Sequence, residues 1–101
     1  MAVFNGGKYL AESINSILEQ TYSDFEFIII DDGSTDQSQT IIKSFQDQRI
    51  KFFKNRTNRG LPYSLNRGIK MSQGIYLVRM DQDDISFQKR IETQVHFMNT
   101  N

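Results

Sequence analysis

The chain has 101 residues, and its twelve Lys and Arg balance its twelve Asp and Glu, so the formal net charge is zero. This length suits a single domain, and because a neutral chain lacks the basic surface of nucleic-acid-binding domains, we expect no nucleic-acid partner. Cysteine is absent, which excludes disulfides, thiolate metal sites and cysteine nucleophiles. No apolar run is longer than the four residues of Phe27–Ile30, which is too short to span a membrane, and composition predicts a soluble, cytoplasmic domain with one core.

The first half of the chain alternates between helix and strand patterns. Residues Lys8–Gln20 have the apolar spacing of an amphipathic helix. Phe25–Ile30 is a β-branched and aromatic run, typical of a strand buried on both faces. Before that helix only Met1–Phe4 is left for a first strand, which is too short to pair well. We therefore expect that further residues of this strand belong upstream of Met1.

A turn-forming cluster at residues 31–36 follows the buried strand. Within it, the spacing from Ser34 to Gln37 is that of a capping box, which predicts that a second helix begins there. Its inner face would be apolar, formed by Ile41, Ile42 and Phe45.

The second half continues the alternation. Ile50–Phe53 predicts a third strand, and a helix with Pro62 in its first turn would end near Gly74. Ile75–Met80 predicts a fourth strand. A last apolar stripe predicts a closing helix, and it consists of Phe87, Ile91, Val95 and Met98. Strands that alternate with helices of this length indicate an α/β fold with a mainly parallel sheet and helices on both faces.

Acidic residues follow two of the predicted strands: Asp31 and Asp32 after one, and Asp81, Asp83 and Asp84 after another. In an open parallel sheet, ligands bind beyond the carboxyl ends of the strands, so we expect both clusters on one edge. Carboxylates placed so close need a compensating cation, and hard oxygen ligands suit Mg²⁺ or Mn²⁺. The alternative is that such loops only form turns and cap helices. Two such acidic loops on the same edge of the sheet favour a cation-binding site.

Other polar residues leave structural and functional interpretations open. Asp31 could cap a helix and Gly33 could supply a positive φ in the turn, whereas a carboxylate at this strand end could also bind a nucleobase or ribose. Arg56 and Arg59 could recognise a diphosphate, although loop arginines are commonly only solvated. His96 has no partner in the sequence and is interpreted as structural.

Several short motifs occur in a fixed order along the whole chain: Val3–Asn5, Ser16–Tyr22, Glu26–Asp36, Asn58–Gly60, Asn66–Ile69, Gly74–Tyr76 and Asp81–Asp84. This ordered set resembles the family 2 glycosyltransferases. The resemblance implies a Rossmann-like GT-A fold that binds a nucleotide-sugar donor together with Mn²⁺ or Mg²⁺. The implied activity is inverting, metal-dependent transfer of a sugar, from a UDP-sugar, to a glycan or lipid-linked acceptor in cell-surface polysaccharide synthesis.

The resemblance also implies nucleotide-binding roles for individual residues. Asp32 resembles the carboxylate that reads the uracil edge. Phe4, followed by Asn5, occupies the place of an aromatic residue that stacks on the base. Arg59 is similar in place to a basic residue near the nucleotide, and Asp81 belongs to a motif that contacts both the nucleotide and the metal.

The metal and the acceptor side are implied in the same way. Asp81 and Asp83 match the family's D-x-D motif, with Asp83 as the direct metal ligand.

The catalytic base, a carboxylate, and the acceptor-binding half are expected beyond Asn101, so residues 1–101 are interpreted as the donor-binding part of a truncated domain. General base catalysis is worth roughly 10²–10⁴-fold, and we expect the chain alone to be nearly inactive. A homodimer, and peripheral association of the full-length protein with the inner face of the membrane, are compatible with this interpretation.

Three other interpretations stay open. A phosphoacceptor signalling domain is also doubly wound with an acidic pocket, but it needs an Asp after its third strand, where this chain has Lys54 and Asn55. A haloacid-dehalogenase-like phosphatase would use Asp81 and Asp83, but its motif ends the first strand and continues to Thr or Val, whereas Ile85 follows here. The third interpretation is a folding or dimerisation module without activity of its own.

Overall fold

The structure, a computed structural model, describes residues 1–21 and 23–72 as three strands and three helices that alternate along the chain. The strands are β1 (Ala2–Val3), β2 (Phe27–Asp31) and β3 (Ile50–Lys54). The helices are α1 (Gly7–Leu18), α2 (Ser38–Ser44) and α3 (Leu61–Met71). The strands form a parallel sheet in the order β1-β2-β3, which confirms the predicted α/β architecture. The predicted fourth strand, the closing helix and His96 lie outside the described residues.

Strand β2 lies at the centre of the described sheet and is covered on both faces. Alternate residues of a strand point to opposite faces. Phe27 and Ile29 therefore share one face, where they pack in a cluster with Val3, Leu10, Ile14, Ile17 and Ile42 from β1, α1 and α2. Ile30 points to the other face, where its Cδ1 atom would lie 3.9 Å from a methyl group placed on Gly68 of α3. The helices of the described residues thus cover both faces, as predicted.

Strand β1 has only two residues, as short as the sequence indicates, yet it pairs with β2. Ala2 lies opposite Ile30, and Val3 lies opposite Asp31. The pairing ends where the Asp32 N–H donates to the Val3 carbonyl at 2.7 Å. In the part of the chain that the structure describes, no helix is long and apolar enough to cross a bilayer.

Helix α2 begins later than the sequence predicts, and the capping box at Ser34 does not form. The helix starts at Ser38, whose N–H donates to Asp36 Oδ1 at 2.9 Å. The Ser34 hydroxyl instead donates to Asp31 and accepts the Asn5 N–H. The prediction was wrong because the Ser34 hydroxyl makes these contacts, one of them with a distant loop, and does not cap the helix N-terminus as the local spacing indicates.

Arg49 joins the connection between α1 and β2 to the start of β3. Its guanidinium donates to the carbonyls of Leu18 at 3.0 Å and Ser23 at 3.4 Å, and lies 4.6 Å from the centre of the Phe25 ring. An ion pair with Asp47, at 2.8 Å, holds the guanidinium in this orientation. The side-chain hydrogen bond from Arg49, with a second bond from its backbone N–H, lowers the pKa of Asp47 to about 2.

We expect acid to remove the stabilisation that Asp47 provides. The pKa of Asp47 in the folded state is lower than its ordinary value of 3.8, so its contribution is complete above that value and is lost as the pH falls to about 2. Asp47→Asn should lower stability at neutral pH and reduce the loss of stability between pH 3.8 and about 2. Urea unfolding midpoints across this range measure both effects. Glu12→Gln, on the exposed face of α1, is the control, and an unchanged pH dependence in Asp47→Asn would contradict the assignment.

Candidate functional site

Three loops meet at the edge of the sheet where the parallel strands end, and we call this edge the rim. They are the β1–α1 loop (residues 4–6), the β2–α2 loop (residues 32–37) and the β3–α3 loop (residues 55–60). Asp31 and Asp32 lie where β2 enters the rim, and they point to opposite faces of the sheet because they are adjacent in an extended segment. Both are buried, with 0% and 4% of their surface exposed.

Asp31 serves the internal structure of the rim. Its Oδ2 accepts the Ser34 N–H at 3.0 Å and the Gln39 side-chain amide at 2.9 Å, while its Oδ1 accepts the Ser34 hydroxyl. These bonds fold the β2–α2 loop back on the strand and connect it to α2. The sequence leaves a structural role and a ligand-binding role open for Asp31, and these contacts agree with the structural role.

Asn5 connects the β1–α1 loop to the β2–α2 loop. It adopts a left-handed conformation with φ 48°, which asparagine tolerates better than most residues. Its Oδ1 accepts the N–H groups of Thr35 at 2.9 Å and Asp36 at 3.4 Å, and its own N–H donates to the Ser34 hydroxyl at 2.9 Å. Asn5 therefore holds two rim loops together, and the nucleotide contact expected from the sequence stays a prediction.

Asp36 makes a second connection between the same two loops. Its Oδ2 accepts the Gly7 N–H at the start of α1, at 3.1 Å, and its Oδ1 accepts the Ser38 N–H at the start of α2. The Ser38 hydroxyl in turn accepts the Gly6 N–H at 3.0 Å. Hydrogen bonds from Ser38 outweigh partial burial and lower the pKa of Asp36. The sequence analysis missed this role, although an aspartate side chain often accepts the backbone N–H two residues further on, in an Asx turn.

Asp32 is held by the β3–α3 loop on the opposite face of the sheet. Its Oδ1 accepts the Asn55 side-chain amide at 2.8 Å and the Arg59 N–H at 2.7 Å, and its Oδ2 accepts the Gly60 N–H at 2.9 Å. Burial alone would raise the pKa of Asp32, but these three bonds, together with the Arg59 charge, lower it. The carboxylate is therefore ionised at neutral pH. A carboxylate can accept about four hydrogen bonds, so within the described residues Oδ2 keeps one acceptor position.

The β2–α2 and β3–α3 loops touch through their backbones at Gly33. This residue has φ 76°, which confirms the positive φ that the sequence allows there. A methyl group on Gly33 would lie 2.8 Å from the Asn58 nitrogen and 2.9 Å from the Thr57 carbonyl carbon. Glycine thus lets the turn after Asp32 approach the loop that supplies the partners of Asp32.

Two further predicted nucleotide-binding residues, Phe4 and Arg59, also lie on the rim. Phe4 follows β1 and is 41% exposed. The exposed Arg59 side chain lies with its guanidinium 5.5 Å from the centre of the Tyr63 ring, while its backbone binds Asp32. The structure therefore joins Arg59 to Asp32, and it joins Asn5 to the loop that begins with Asp32.

The predicted metal ligands, Asp81 and Asp83, and their neighbour Asp84 lie outside the described residues. Between residues 1 and 72, leaving out residue 22, no three or more His, Asp or Glu side chains come close enough to hold a metal ion. Of the predicted nucleotide-binding residues, the described rim contains Phe4, Asn5, Asp32 and Arg59, whereas Asp81 lies outside the described residues.

Sequence reasoning missed Asn55, which has a central place in the site. It is 6% exposed and directly follows β3, just as Asp32 directly follows β2. A polar residue at the carboxyl end of a predicted parallel strand is a signal that could have found it.

In an open parallel α/β sheet, ligands bind beyond the carboxyl ends of the strands, and the buried Asp32 carboxylate lies at that edge. The family model described as Glycosyl transferase family 2 matches residues 1–101, and the chain belongs to this family. The family resemblance inferred from the ordered motifs is thereby confirmed.

Named relatives and solved structures agree with this assignment. The chain is 44% identical over 101 residues to the putative glycosyltransferase EpsE of Bacillus subtilis (strain 168), a match that covers 97% of this chain and 36% of the relative. It is 41% identical over 93 residues to the glycosyltransferase GlyG of Streptococcus pneumoniae serotype 4, covering 90% of this chain and 31% of the relative. The crystal structure of S. aureus TarS 1-349 in complex with UDP matches with a TM-score of 0.90 and 27% identity, over 98% of this chain and 30% of that chain. The chain thus spans about a third of the length of these proteins.

Replacing Gly33 should damage the rim, because its φ of 76° favours glycine. A left-handed conformation costs a non-glycine residue about 1–2 kcal/mol. Gly33→Ala adds a collision with the backbone of residues 57 and 58, whereas among the described residues a methyl group on Gly68, inside helix α3, meets Ile30 Cδ1 at an ordinary 3.9 Å. Urea unfolding should therefore show a clear loss of free energy for Gly33→Ala and no comparable loss for Gly68→Ala. Equal losses would show that the loops do not depend on this close approach.

Proposed function

We propose that the protein acts in the transfer of a sugar from a nucleotide-sugar donor, with residues 1–101 as the donor-binding part. Membership of a glycosyltransferase family supports the reaction class, and the similar TarS structure with UDP supports a uridine nucleotide. The observation that carries the proposal is the ionised Asp32 carboxylate, which is held on the rim and, among the described residues, keeps one acceptor position on Oδ2.

The chemistry of this carboxylate fits uracil as the base. An ionised carboxylate only accepts hydrogen bonds. Uracil offers an N3–H donor on its Watson–Crick edge. The corresponding nitrogen of cytosine is an acceptor that would be repelled, so cytosine could offer only its 4-amino group. The exposed ring of Phe4 provides a surface on which a base can stack, a contact worth about 1–3 kcal/mol in nucleic-acid complexes. The Arg59 guanidinium, beside the same carboxylate, supplies positive charge for the diphosphate.

We include Mn²⁺ or Mg²⁺ in the proposal, with Asp83 as the direct ligand and Asp81 beside it. Two carboxylates are hard oxygen donors of the kind that both cations prefer, so these residue types fit the ion. When bound, a divalent cation supplies charge neutralisation for a diphosphate leaving group.

The acceptor side of the proposal extends beyond the described residues. An inverting transfer needs a base that removes the proton from the acceptor hydroxyl, and we expect this carboxylate beyond Asn101. A glycan or lipid-linked acceptor, a role in cell-surface polysaccharide synthesis and a site at the inner face of the membrane complete the proposal. The family resemblance supports them, and they stay predictions.

Titration of UDP by calorimetry, with and without Mn²⁺, tests the donor site. We expect binding that Mn²⁺ strengthens, and a loss of affinity of roughly 10- to 100-fold in Asp32→Ala, because a hydrogen bond to a charged group is worth about 1.5–3 kcal/mol. Asp83→Ala should bind UDP weakly and without dependence on Mn²⁺.

Two controls separate loss of the site from loss of the fold. Asp24→Ala, which removes an exposed aspartate outside the rim, should bind UDP like the unchanged chain. Unfolding midpoints of all variants show whether they stay folded, and Asp32→Asn, which keeps the shape of the side chain, replaces Asp32→Ala if the latter unfolds. If the unchanged chain does not bind UDP, the donor site is refuted and a folding or dimerisation module is favoured.

A further inference from the structure

The β3–α3 loop and helix α3 contain a buried polar chain that ends on Asp32. Asn55, which is 6% exposed, uses its side-chain amide nitrogen twice, toward Asp32 Oδ1 at 2.8 Å and toward the Ser64 hydroxyl at 2.9 Å. Its amide oxygen accepts Arg67 Nη1 at 2.7 Å. Its backbone N–H donates to the Asp31 carbonyl at 2.8 Å, which fixes the start of the loop against β2.

We propose that Asn55 is a positioning residue for base recognition, which holds Asp32 so that Oδ2 meets the base, and that Arg67 sets the orientation of the Asn55 amide. This inference rests on the proposed function, because it assigns a role in uracil recognition to residues that do not touch the nucleotide.

Arg67 determines which end of the amide faces Asp32. A guanidinium can only donate, so the Asn55 oxygen must turn toward Arg67 and the nitrogen toward the carboxylate. The opposite orientation would place two acceptors together at Asp32 and two donors together at Arg67. Arg67 is itself held by a hydrogen bond to the Lys54 carbonyl at 3.2 Å, and it lies 5.7 Å from the centre of the Phe53 ring.

These contacts make the two carboxylate oxygens of Asp32 unequal. Oδ1 receives two hydrogen bonds, from the Asn55 amide and the Arg59 N–H, and this fills its usual capacity. Oδ2 receives one, from the Gly60 N–H. The carboxylate is therefore fixed in its plane, and among the contacts of the described residues Oδ2 is the atom that keeps an acceptor position for a base donor. Without the Asn55 donor, the carboxylate could turn and its preference for one base edge would weaken.

Asn55→Asp is the sharpest test, because the two side chains have nearly the same shape. The new carboxylate still accepts from Arg67 and from the Ser64 hydroxyl, but it repels Asp32 where the amide donated. We expect the affinity for UDP to fall at least about tenfold, and the ratio of UDP to CDP affinity to fall toward one. Asn15→Asp, on the exposed face of α1, makes the same chemical change away from the rim and should keep both values.

Arg67 provides a second pair of variants in case Asn55→Asp does not fold. Arg67→Met keeps an unbranched apolar chain near Phe53 but has no donor for Asn55, so we expect the UDP to CDP ratio to fall. Arg67→Lys restores a donor and should recover part of that ratio. Urea unfolding midpoints are measured in parallel, because a purely structural role would lower UDP and CDP binding together and leave their ratio unchanged.

The outcomes separate this inference from the function on which it depends. If the unchanged chain shows no preference for UDP over CDP, or if Asp32→Asn keeps that preference, the proposed base recognition is refuted and this inference with it. If the unchanged chain prefers UDP and Asp32→Asn loses the preference, the donor site stands. A full UDP to CDP ratio in a folded Asn55→Asp variant, or in both Arg67 variants if Asn55→Asp does not fold, would then overturn the positioning role alone.

Discussion

The burial of the Asp32 charge is the constraint on which the shape of the rim depends. An ionised carboxylate with 4% of its surface exposed is costly unless hydrogen bonds replace the water that it has lost. The β3–α3 loop supplies them through the Asn55 amide and the N–H groups of Arg59 and Gly60. The path of that loop is therefore set by the need to place three donors around one side chain. Gly60, which supplies the third of these donors, has a φ of 92°.

Because side chains alternate between the two faces along β2, Asp31 and Asp32 point to opposite faces and bind different loops. Asp31 points to the face covered by α1 and α2, and it binds the loop and helix on that side. Asp32 points to the face covered by α3, and it binds the loop that precedes that helix. A shift of the strand by one residue would exchange the two faces and place each carboxylate among the wrong partners. The register that buries Ile29 and Ile30 in their respective layers is thus also the register that builds the site.

The sequence predicts the parts of this arrangement that depend on local patterns. The apolar run at β2, the apolar spacing of α1 and Pro62 at the start of α3 each indicate their element directly. The start of α2 could not be predicted, because Asn5, 29 residues before Ser34, competes for the hydroxyl that would cap the helix. Asn55 was missed for a similar reason, since its partner lies 23 residues away along the chain and only the pairing of β2 with β3 brings them together.

The rim is built mainly from side-chain acceptors that bind backbone N–H groups. Asn5 binds the backbone of Thr35, Asp36 binds that of Gly7, and Asp32 binds that of Arg59. A backbone donor is present whatever side chain it carries, so these contacts specify the acceptor residue and do not use the donor's side chain. The Arg59 side chain is consequently not needed to hold Asp32 by hydrogen bonds, and it extends from a backbone that is already fixed. A loop fixed in this way presents its outward side chains at little cost in conformational entropy, which is the condition that a preformed binding site requires.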